Sequence, residues 1–449
     1  MDEKQIAIGG AAGGSGDRVD AARPVVDELI RRGGAAALTF ENLAERTLAF
    51  AHLAKRANPE SGYESLMEME VAPVLADCMA HGIPIISNFG AANPPAAARR
   101  LKAMAASMGL PVPRIAVIEG DDLSSEVGKA ILLPLLPPAW QRRSFVSANV
   151  YIGAFAIAEA LRQGAQIVVA GRVADPALAL GAAIAHYGWG RDDLDALAGA
   201  TMAGHLIECG AQVTGGYFAD PGFKDVPDLH RVGFPIVTVA RDGSCVLTKP
   251  EGTGGLVDVR TVKEQLLYEI HDPAAYLTPD VVADITQATV EEIAPGQVRL
   301  SGVRGHARPP TLKAGVYVEG GWIGEGEISY AGPNAQARAR LAMDVLQKRM
   351  GEDMPIRFDL IGVLSVHGDP RGALLAQPSD AAHADIRVRA AIRHHDLAEI
   401  ERLQREFTGL WLGGPSGGGG VKTSRRQRLE SISCLVPREQ IHESFYFAE

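Results

Sequence analysis

IAIGGAAGG, beginning at Ile6, is the first of five apolar runs in the first half of the chain; AAALTFEN at Ala35, IPIISNFGAAN at Ile83, RIAVIEGDD at Arg114 and QIVVAGRVAD at Gln166 follow. Each run closes in small, polar or charged residues and is followed by a helix-patterned segment. Uninterrupted apolar runs suit parallel strands buried on both faces. The repeated strand–helix unit predicts an α/β fold with a doubly wound, mainly parallel Rossmann-like sheet in the N-terminal part. In such sheets the ligand sits beyond the carboxyl ends of the strands. Those ends carry Glu41, Asn42, Asn88, Asn93, Glu119, Asp121, Asp122, Arg172 and Asp175.

Helical spacing is read over residues 17–32 up to Gly33-Gly34, over 94–108, 149–163 and 178–187, with a capping box at 65–68 ahead of a further helix. Residues 122–147, with three prolines and the pair Arg142-Arg143, read as a loop or lid over the strand ends. From residue 202 to 273 the texture turns glycine-rich around the short β-like runs PIVTVA and SCVLTK, and residues 261–264 read as the cap of a helix. Beyond residue 285 the runs VRLSG, TLKAGVYV, FDLIGVLSV and IRVRAAI, with helices over 335–350 and 396–407, predict a smaller α+β domain. The expected domains are therefore 1–284 and 285–449.

At 449 residues the chain has material for two or three cores, and 47% hydrophobic against 22% charged residues is a globular balance. A net charge of −10 argues against nucleic-acid or anionic-membrane partners, which need a basic footprint. The four cysteines are dispersed with no metal-site spacing, the start MDEKQIAI lacks the features of a secretion signal, and no apolar run is long enough to span a bilayer. A cytoplasmic protein with reduced thiols is expected.

Several constellations could carry chemistry. The glycines of residues 9–17, Gly9, Gly10, Gly13 and Gly14 among them, could let a cofactor phosphate approach a helix N-terminus. Their spacing is not that of a dinucleotide fingerprint, and a tight turn would use the same glycines. EGDD offers Glu119 and Asp121 for acid–base work, or for Mg²⁺ held through oxygen, which the sequence allows without requiring; a solvated acidic turn is the alternative. Arg172 could clamp a substrate carboxylate, or pair structurally with Asp175. His205 and Glu208, three apart, would share one helix face as a proton-transfer pair, unless the histidine is a hydrogen-bonded core residue. Lys249 and Gly254 of KPEGTGG, and Gly417, Gly418 and Gly419 of GGPSGGGGVK, could form ligand loops, with Asn88 and Asn93 at strand ends; a β-turn or a linker are the alternatives.

The blocks SNFGAANPPAAARR, AGRVADPAL, ECGAQVTGGYFADPG, KPEGTGG, YEIHDPAAYLTPDVV and GEGEISYAGP together resemble the acyclic terpene utilisation protein AtuA family, nearly end to end. The resemblance implies catabolism beside enzymes that handle acyl-CoA thioesters of branched or terpenoid acids. Many family members continue into a small C-terminal domain, so a separately encoded small subunit is implied as a partner alongside a homo-oligomer. The reading that joins these threads is a lyase or hydratase acting on a branched or terpenoid acyl-CoA, or on a small polycarboxylate, by acid–base chemistry, with an isomerase using the same parts. An NAD(P)-dependent oxidoreductase and a non-catalytic ligand-binding subunit stand as alternatives. CoA enters only as part of the substrate.

Overall fold

The computed structural model describes residues 5–364, 373, 375 and 385–449. The chain forms two compact units, Met1–Tyr317 with Ser431–Glu449, and Val318–Glu430. Residues 285–317 and 431–449 of the expected C-terminal domain thus lie in the first unit.

The first unit opens with the anticipated alternation: β1 (Ile6–Gly13), α1 (Ala22–Arg32), β2 (Ala35–Glu41), α2 (Glu45–Ala57), α3 (Met67–Ala80), β3 (Ile85–Ser87), α4 (Pro94–Ser107) and β4 (Ile115–Glu119). There follow α5 (Glu126–Leu132), α6 (Pro138–Gln141), β5 (Phe145–Val150), α7 (Phe155–Arg162), β6 (Ile167–Val169), α8 (Ala177–Tyr187) and α9 (Leu194–Glu208). Next come β7 (Ile236–Val239), β8 (Cys245–Thr248), α10 (Val259–Leu267), β9 (Tyr276–Leu277), β10 (Val282–Asp284), β11 (Thr289–Ala294), β12 (Gln297–Ser301) and β13 (Arg304–His306). Strand β14 (Thr311–Ala331) continues into the second unit, which adds α11 (Ala335–Met350), β15 (Arg357–Ile361), β16 (Asp385–His394) and α12 (Leu397–Gly413). Strand β17 (Gly418–Pro437) returns the chain to the first unit, where β18 (Ser444–Phe447) ends it.

Ten strands of the first unit form one sheet in the order β11-β12-β8-β7-β1-β2-β3-β6-β4-β18. β1, β2, β3, β6 and β4 are parallel neighbours, and these are the five runs read from the sequence. The sheet is nonetheless mixed: β7, β8, β12 and β11 extend it antiparallel on one side, and β18 closes the other edge antiparallel to β4. The β7–β8 pair is a hairpin through Gly243, whose φ of 83° favours glycine. β1 is covered on both sides. Neighbouring strand residues point to opposite faces, and a Cβ at Gly9 would overlap Val25 of α1 while one at Gly10 would press on Ile207 of α9. One core joins Val25, Val26 and Leu29 of α1, Val71, Val74 and Leu75 of α3 and Ala97 and Leu101 of α4 to Leu38 and Phe40 of β2. A short sheet, β13-β10-β9, stands apart from the large one.

Four local expectations change for identifiable reasons. The helix expected from residue 17 starts at Ala22, because the Asp17 carboxylate turns back to accept the Gly13 and Arg18 N–H groups. The 65–68 capping box is not formed: the Ser65 hydroxyl donates to Glu64, and α3 starts at Met67 without a side-chain cap. Residues 122–147 are not a plain loop but hold α5, α6 and the first half of β5, and β5 takes the start of the helix expected over 149–163. Helix α10 has Asp258 as its N-cap, accepting from the Arg260 and Thr261 N–H groups, and Thr261 closes that capping box by accepting the Asp258 N–H instead of opening one of its own.

In the second unit β15-β16-β14-β17 form a sheet whose inner face carries Ile328, Tyr330, Ile386, Val388, Ala390 and Ile392 against Leu346 of α11 and Ile400, Leu403 and Phe407 of α12. Gly326 lies beneath Phe407, where a Cβ would strike the ring. The end of the run FDLIGVLSV, past residue 364, lies outside the described residues. No helix among the described residues is long and apolar enough to cross a membrane.

Candidate active site

Because the five central strands are parallel, their carboxyl ends emerge on one edge of the sheet and deliver Glu41, Asn88, Asp121 and Arg172 to it. All four side chains are buried. Asn88 ties two strands together: its Oδ1 accepts the Asn42 N–H at 2.8 Å, and its Nδ2 donates to Glu41 Oε1 at 2.6 Å. The Asn42 Nδ2 donates in turn to both oxygens of Glu70, at 3.1 and 3.2 Å. Asp121 Oδ2 accepts the Arg172 N–H at 2.8 Å and Asn149 Nδ2 at 3.0 Å. Burial penalises the charged form of each carboxyl. Glu41 is pushed up to about 8 by burial and the Asp175 charge, against Arg172. Glu70 rises to about 7 through burial and the Glu64 charge, and burial takes Asp121 to about 6.

Arg172 is enclosed by its own turn. Its Nε donates to the Val173 carbonyl at 2.8 Å, Nη1 to the Leu43 carbonyl at 2.5 Å, and Nη2 to Asp175, with Glu41 Oε1 3.9 Å away. The guanidinium lies 4.5 Å from the centre of the Tyr151 ring. It acts as an anchor for the strand ends, and Asp175 is the more exposed partner of the pair, its side chain 37% accessible.

Beside this anchor, α9 places His205 and Glu208 on one face, with Nδ1 and Oε1 2.8 Å apart. His205 Nε2 lies 3.1 Å from the Gln265 carbonyl, which can only accept, so Nε2 carries a hydrogen. One further proton is then shared between Nδ1 and Glu208. Burial opposes charge on both groups: it raises Glu208, while the neighbouring carboxylate outweighs it and raises His205. The second oxygen, Glu208 Oε2, is buried and has no hydrogen-bond partner among the described residues. The Tyr276 ring centre lies 5.3 Å from that of His205, and burial with the Glu208 and Asp175 charges holds its hydroxyl protonated, far above the usual tyrosine range. Tyr276 and Asp175 line a cavity of about 470 Å³ whose other walls are mostly apolar, among them Pro176, Leu277, Leu312 and Leu435, with Tyr151 and Lys313 at its polar side. The last two share Glu45, which accepts from Tyr151 Oη at 2.8 Å and Lys313 Nζ at 2.7 Å.

Residues 6–447 match the family model described as acyclic terpene utilisation family protein AtuA. The chain belongs to this family. No curated protein and no solved structure matches it.

The AtuA-family chain therefore gathers Asp121, Arg172, Asp175, His205, Glu208 and Asn88 of the residues singled out from sequence. Glu119 does not join them: it is exposed, and its backbone pairs with Ser444 in the edge strand. The Gly9 and Gly10 positions admit Val25 and Ile207, and a Cβ at Gly13 would collide with the Cys209 and Gly210 backbone. With the Gly13 amide already taken by Asp17 at 2.9 Å, an acid stands where a phosphate would bind; Gly14 borders a separate shallow pocket with Gly216 and Tyr217. Asn93 holds the Pro59 and Ser61 carbonyls, both at 2.7 Å. Lys249 donates to the Thr253 carbonyl at 2.7 Å, burial lowering its pKa, and Gly254 gives way to the Asp228 backbone. Gly417, Gly418 and Gly419 belong to the second unit, where Arg338 ties the Ser416 carbonyl to those of Ala331 and Pro333. Among the described residues no group of three or more His, Cys, Asp or Glu is arranged to hold a metal ion. Tyr276, Tyr151, Lys313 and Asn149 escaped the sequence reading. Tyr276 stands in the block YEIHDPAAYLTPDVV, whose part in the family resemblance was the available signal.

Proposed function

We propose that this protein is a catabolic enzyme of acyclic terpene utilisation that moves a proton on a branched or terpenoid acyl substrate, as a lyase or hydratase. The apolar chain occupies the cavity bordered by Tyr276 and Asp175, and the His205–Glu208 pair carries the proton. The observation that bears the reading is Glu208 Oε2, a buried carboxyl oxygen without a partner among the described residues, on the pair whose histidine ring lies 5.3 Å from that of the cavity-lining Tyr276. Leaving such an oxygen unsatisfied costs about 1–3 kcal/mol or more, and here it belongs to a carboxyl paired with a histidine, as a proton-transfer site would have it. A base of this kind can remove the acidic hydrogen next to a thioester or carboxyl carbonyl, while protonated Tyr276 can donate to the oxygen on which charge develops. An isomerisation would use the same proton transfer. A polycarboxylate substrate gains less support, because Arg172 is already bonded to Asp175 and two carbonyls.

The test is hydrogen exchange. Branched unsaturated acids and their CoA thioesters are incubated with the protein in D₂O and followed by NMR, which reads proton abstraction whichever reaction completes the cycle. The wild type is expected to exchange a carbon-bound hydrogen, and Glu208→Gln to slow this by about 10²-fold or more with the fold retained. Exchange in Glu208→Gln at the wild-type rate would remove the pair from the chemistry. Silence of the wild type toward all substrates would favour the subunit reading, in which a partner completes the site.

A further inference from the structure

In the second unit, alternation along β16 sends Ile386, Val388, Ala390 and Ile392 toward the helices and leaves Arg387, Arg389, Ala391 and Arg393 on the opposite face of the sheet. That face holds a groove of about 660 Å³, with Ile323, Pro355, Ile356 and Ala391 as apolar lining and Arg357, Arg389, Arg393 and Arg426 around them. Two of these arginines are held in ion pairs. Asp359 accepts from Arg389 at 2.6 Å and from Arg357 at 3.2 Å, and Glu325 accepts from Arg389 at 2.6 Å. Glu327 accepts from Arg387 at 3.3 Å, so the three carboxylates are already matched by cations. The Arg393 and Arg426 side chains make no hydrogen bond, ion pair or ring contact among the described residues.

The sheet sets these two on either side of one residue. Arg393 stands directly opposite Ile323 in the β14–β16 register. On the other side of β14, Gly418 lies against Ile328 and Tyr330, and Gly320 against Arg428 and Glu430, so β17 runs antiparallel and brings Arg426 beside Ile323. The two backbones are then two strand spacings apart, roughly 10 Å, a gap that two arginine side chains can close around one anion above Ile323. Residues 318–430 hold as many Asp and Glu as Lys and Arg, so the surplus of cations belongs to the groove and not to the unit as a whole. Like charges set so near without an anion between them oppose folding, and a bound anion reverses the sign.

We propose that this groove is a second ligand site, for a small phosphate ester whose phosphate lies between Arg393 and Arg426 and whose apolar or aromatic body covers Pro355, Ile356 and Ala391. A planar guanidinium matches a pair of phosphate oxygens, and two cations suit a dianion where a monocarboxylate would need one. The site is built from the second unit alone and does not rest on the His205–Glu208 chemistry.

Calorimetric titration of the full chain with adenosine 5′-monophosphate, inorganic phosphate and a short polyglutamate peptide tests it, using wild type, Arg393→Gln, Arg426→Gln, Ile323→Glu and Glu208→Gln. The nucleotide is expected to bind the wild type with salt-sensitive affinity, about tenfold or more weaker in either arginine variant and unchanged in Glu208→Gln. Inorganic phosphate should compete for the same site more weakly, since it lacks the body. Arg393 and Arg426 have no partner to lose, so their variants should melt with the wild type when unliganded, which separates lost binding from lost folding. Ile323→Glu sets a carboxylate between the two guanidiniums and should abolish binding without lowering the melting temperature. Nucleotide affinity within about twofold of wild type in both arginine variants, or no binding of either phosphate compound, would overturn the proposal. Peptide binding that depends on Arg393 and Arg426 while neither phosphate compound binds would overturn it too, and assign the face to an acidic protein partner. If the nucleotide binds as expected while no substrate exchanges hydrogen, the phosphate site stands and the proton-transfer reading fails alone.

Discussion

Arg172 has its guanidinium closed in by Asp175, two carbonyls and the Tyr151 ring, so a substitution there is felt as a folding defect before it is felt by any ligand. Arg172→Met leaves Asp175 and Glu41 without their cation and two carbonyls without a donor, and is expected to cost about 3–5 kcal/mol. Urea unfolding measures this; a midpoint equal to that of wild type would return Arg172 to the role of a ligand clamp. His205 behaves differently, because Gln at that position can still donate to the Gln265 carbonyl while losing the shared proton. His205→Gln should therefore fold and fail in hydrogen exchange. The spacing of His205 and Glu208 was readable because three residues along a helix is a fixed geometry. Tyr276 was not, since it reaches the pair from an irregular segment that no local rule brings there.

Among the elements, short-range chemistry decides the outcomes. Asp258 caps α10 by accepting from Arg260 N at 2.8 Å and Thr261 N at 3.0 Å, so Asp258→Ala should lower the unfolding free energy by about 1 kcal/mol. A loss below a few tenths would show that tertiary packing alone holds the helix. Gly171, between β6 and Arg172, sits where a Cβ would fall 2.6 Å from Asp121 Oδ2 and 2.9 Å from the Ala91 carbonyl. Gly171→Ala is expected to push β6 away from Asp121 and break the Arg172 N–H bond; amide exchange at Arg172 reads it directly, and retained protection would show that the turn can yield. The five parallel strands were visible in sequence because both of their faces are apolar. β5 was hidden because the alternation in FVSANV competes with the helical spacing that begins in the same residues, and its pairing is settled by distant contacts such as the Leu123 N–H to the Ala148 carbonyl at 2.7 Å. β7 and β8 read as short β-like runs, but nothing local says that β7 joins the sheet beside β1.

For the molecule as a whole, the buried acids of the first unit govern how stability varies with pH. Glu41, Glu70, Asp121 and Asp280 are raised by burial to about 8, 7, 6 and 6, and Glu208 is raised as well. Unfolded, these groups return to about 4–4.5, so between about pH 4.5 and 8 the folded chain binds more protons than the unfolded one. Stability must then fall as pH rises through that window. His205, raised when folded, adds to the fall above its ordinary value, whereas His52, lowered mainly by burial, opposes it below pH 6.5. Asp20, Asp195 and Asp258 are lowered, chiefly through hydrogen bonds against desolvation, and they withdraw their support only when pH falls through their depressed values. The optimum is therefore expected near pH 5, below neutrality. Urea midpoints at pH 5, 6.5 and 8 should decline in that order, and Glu41→Gln should flatten the decline by up to about 1.4 kcal/mol per pH unit, the slope of one proton. A midpoint that climbs toward pH 8, or a slope that Glu41→Gln leaves untouched, would mean that water or a bound cation reaches these carboxyls and that the strand-end cluster is not the low-dielectric site that proton transfer at Glu208 requires.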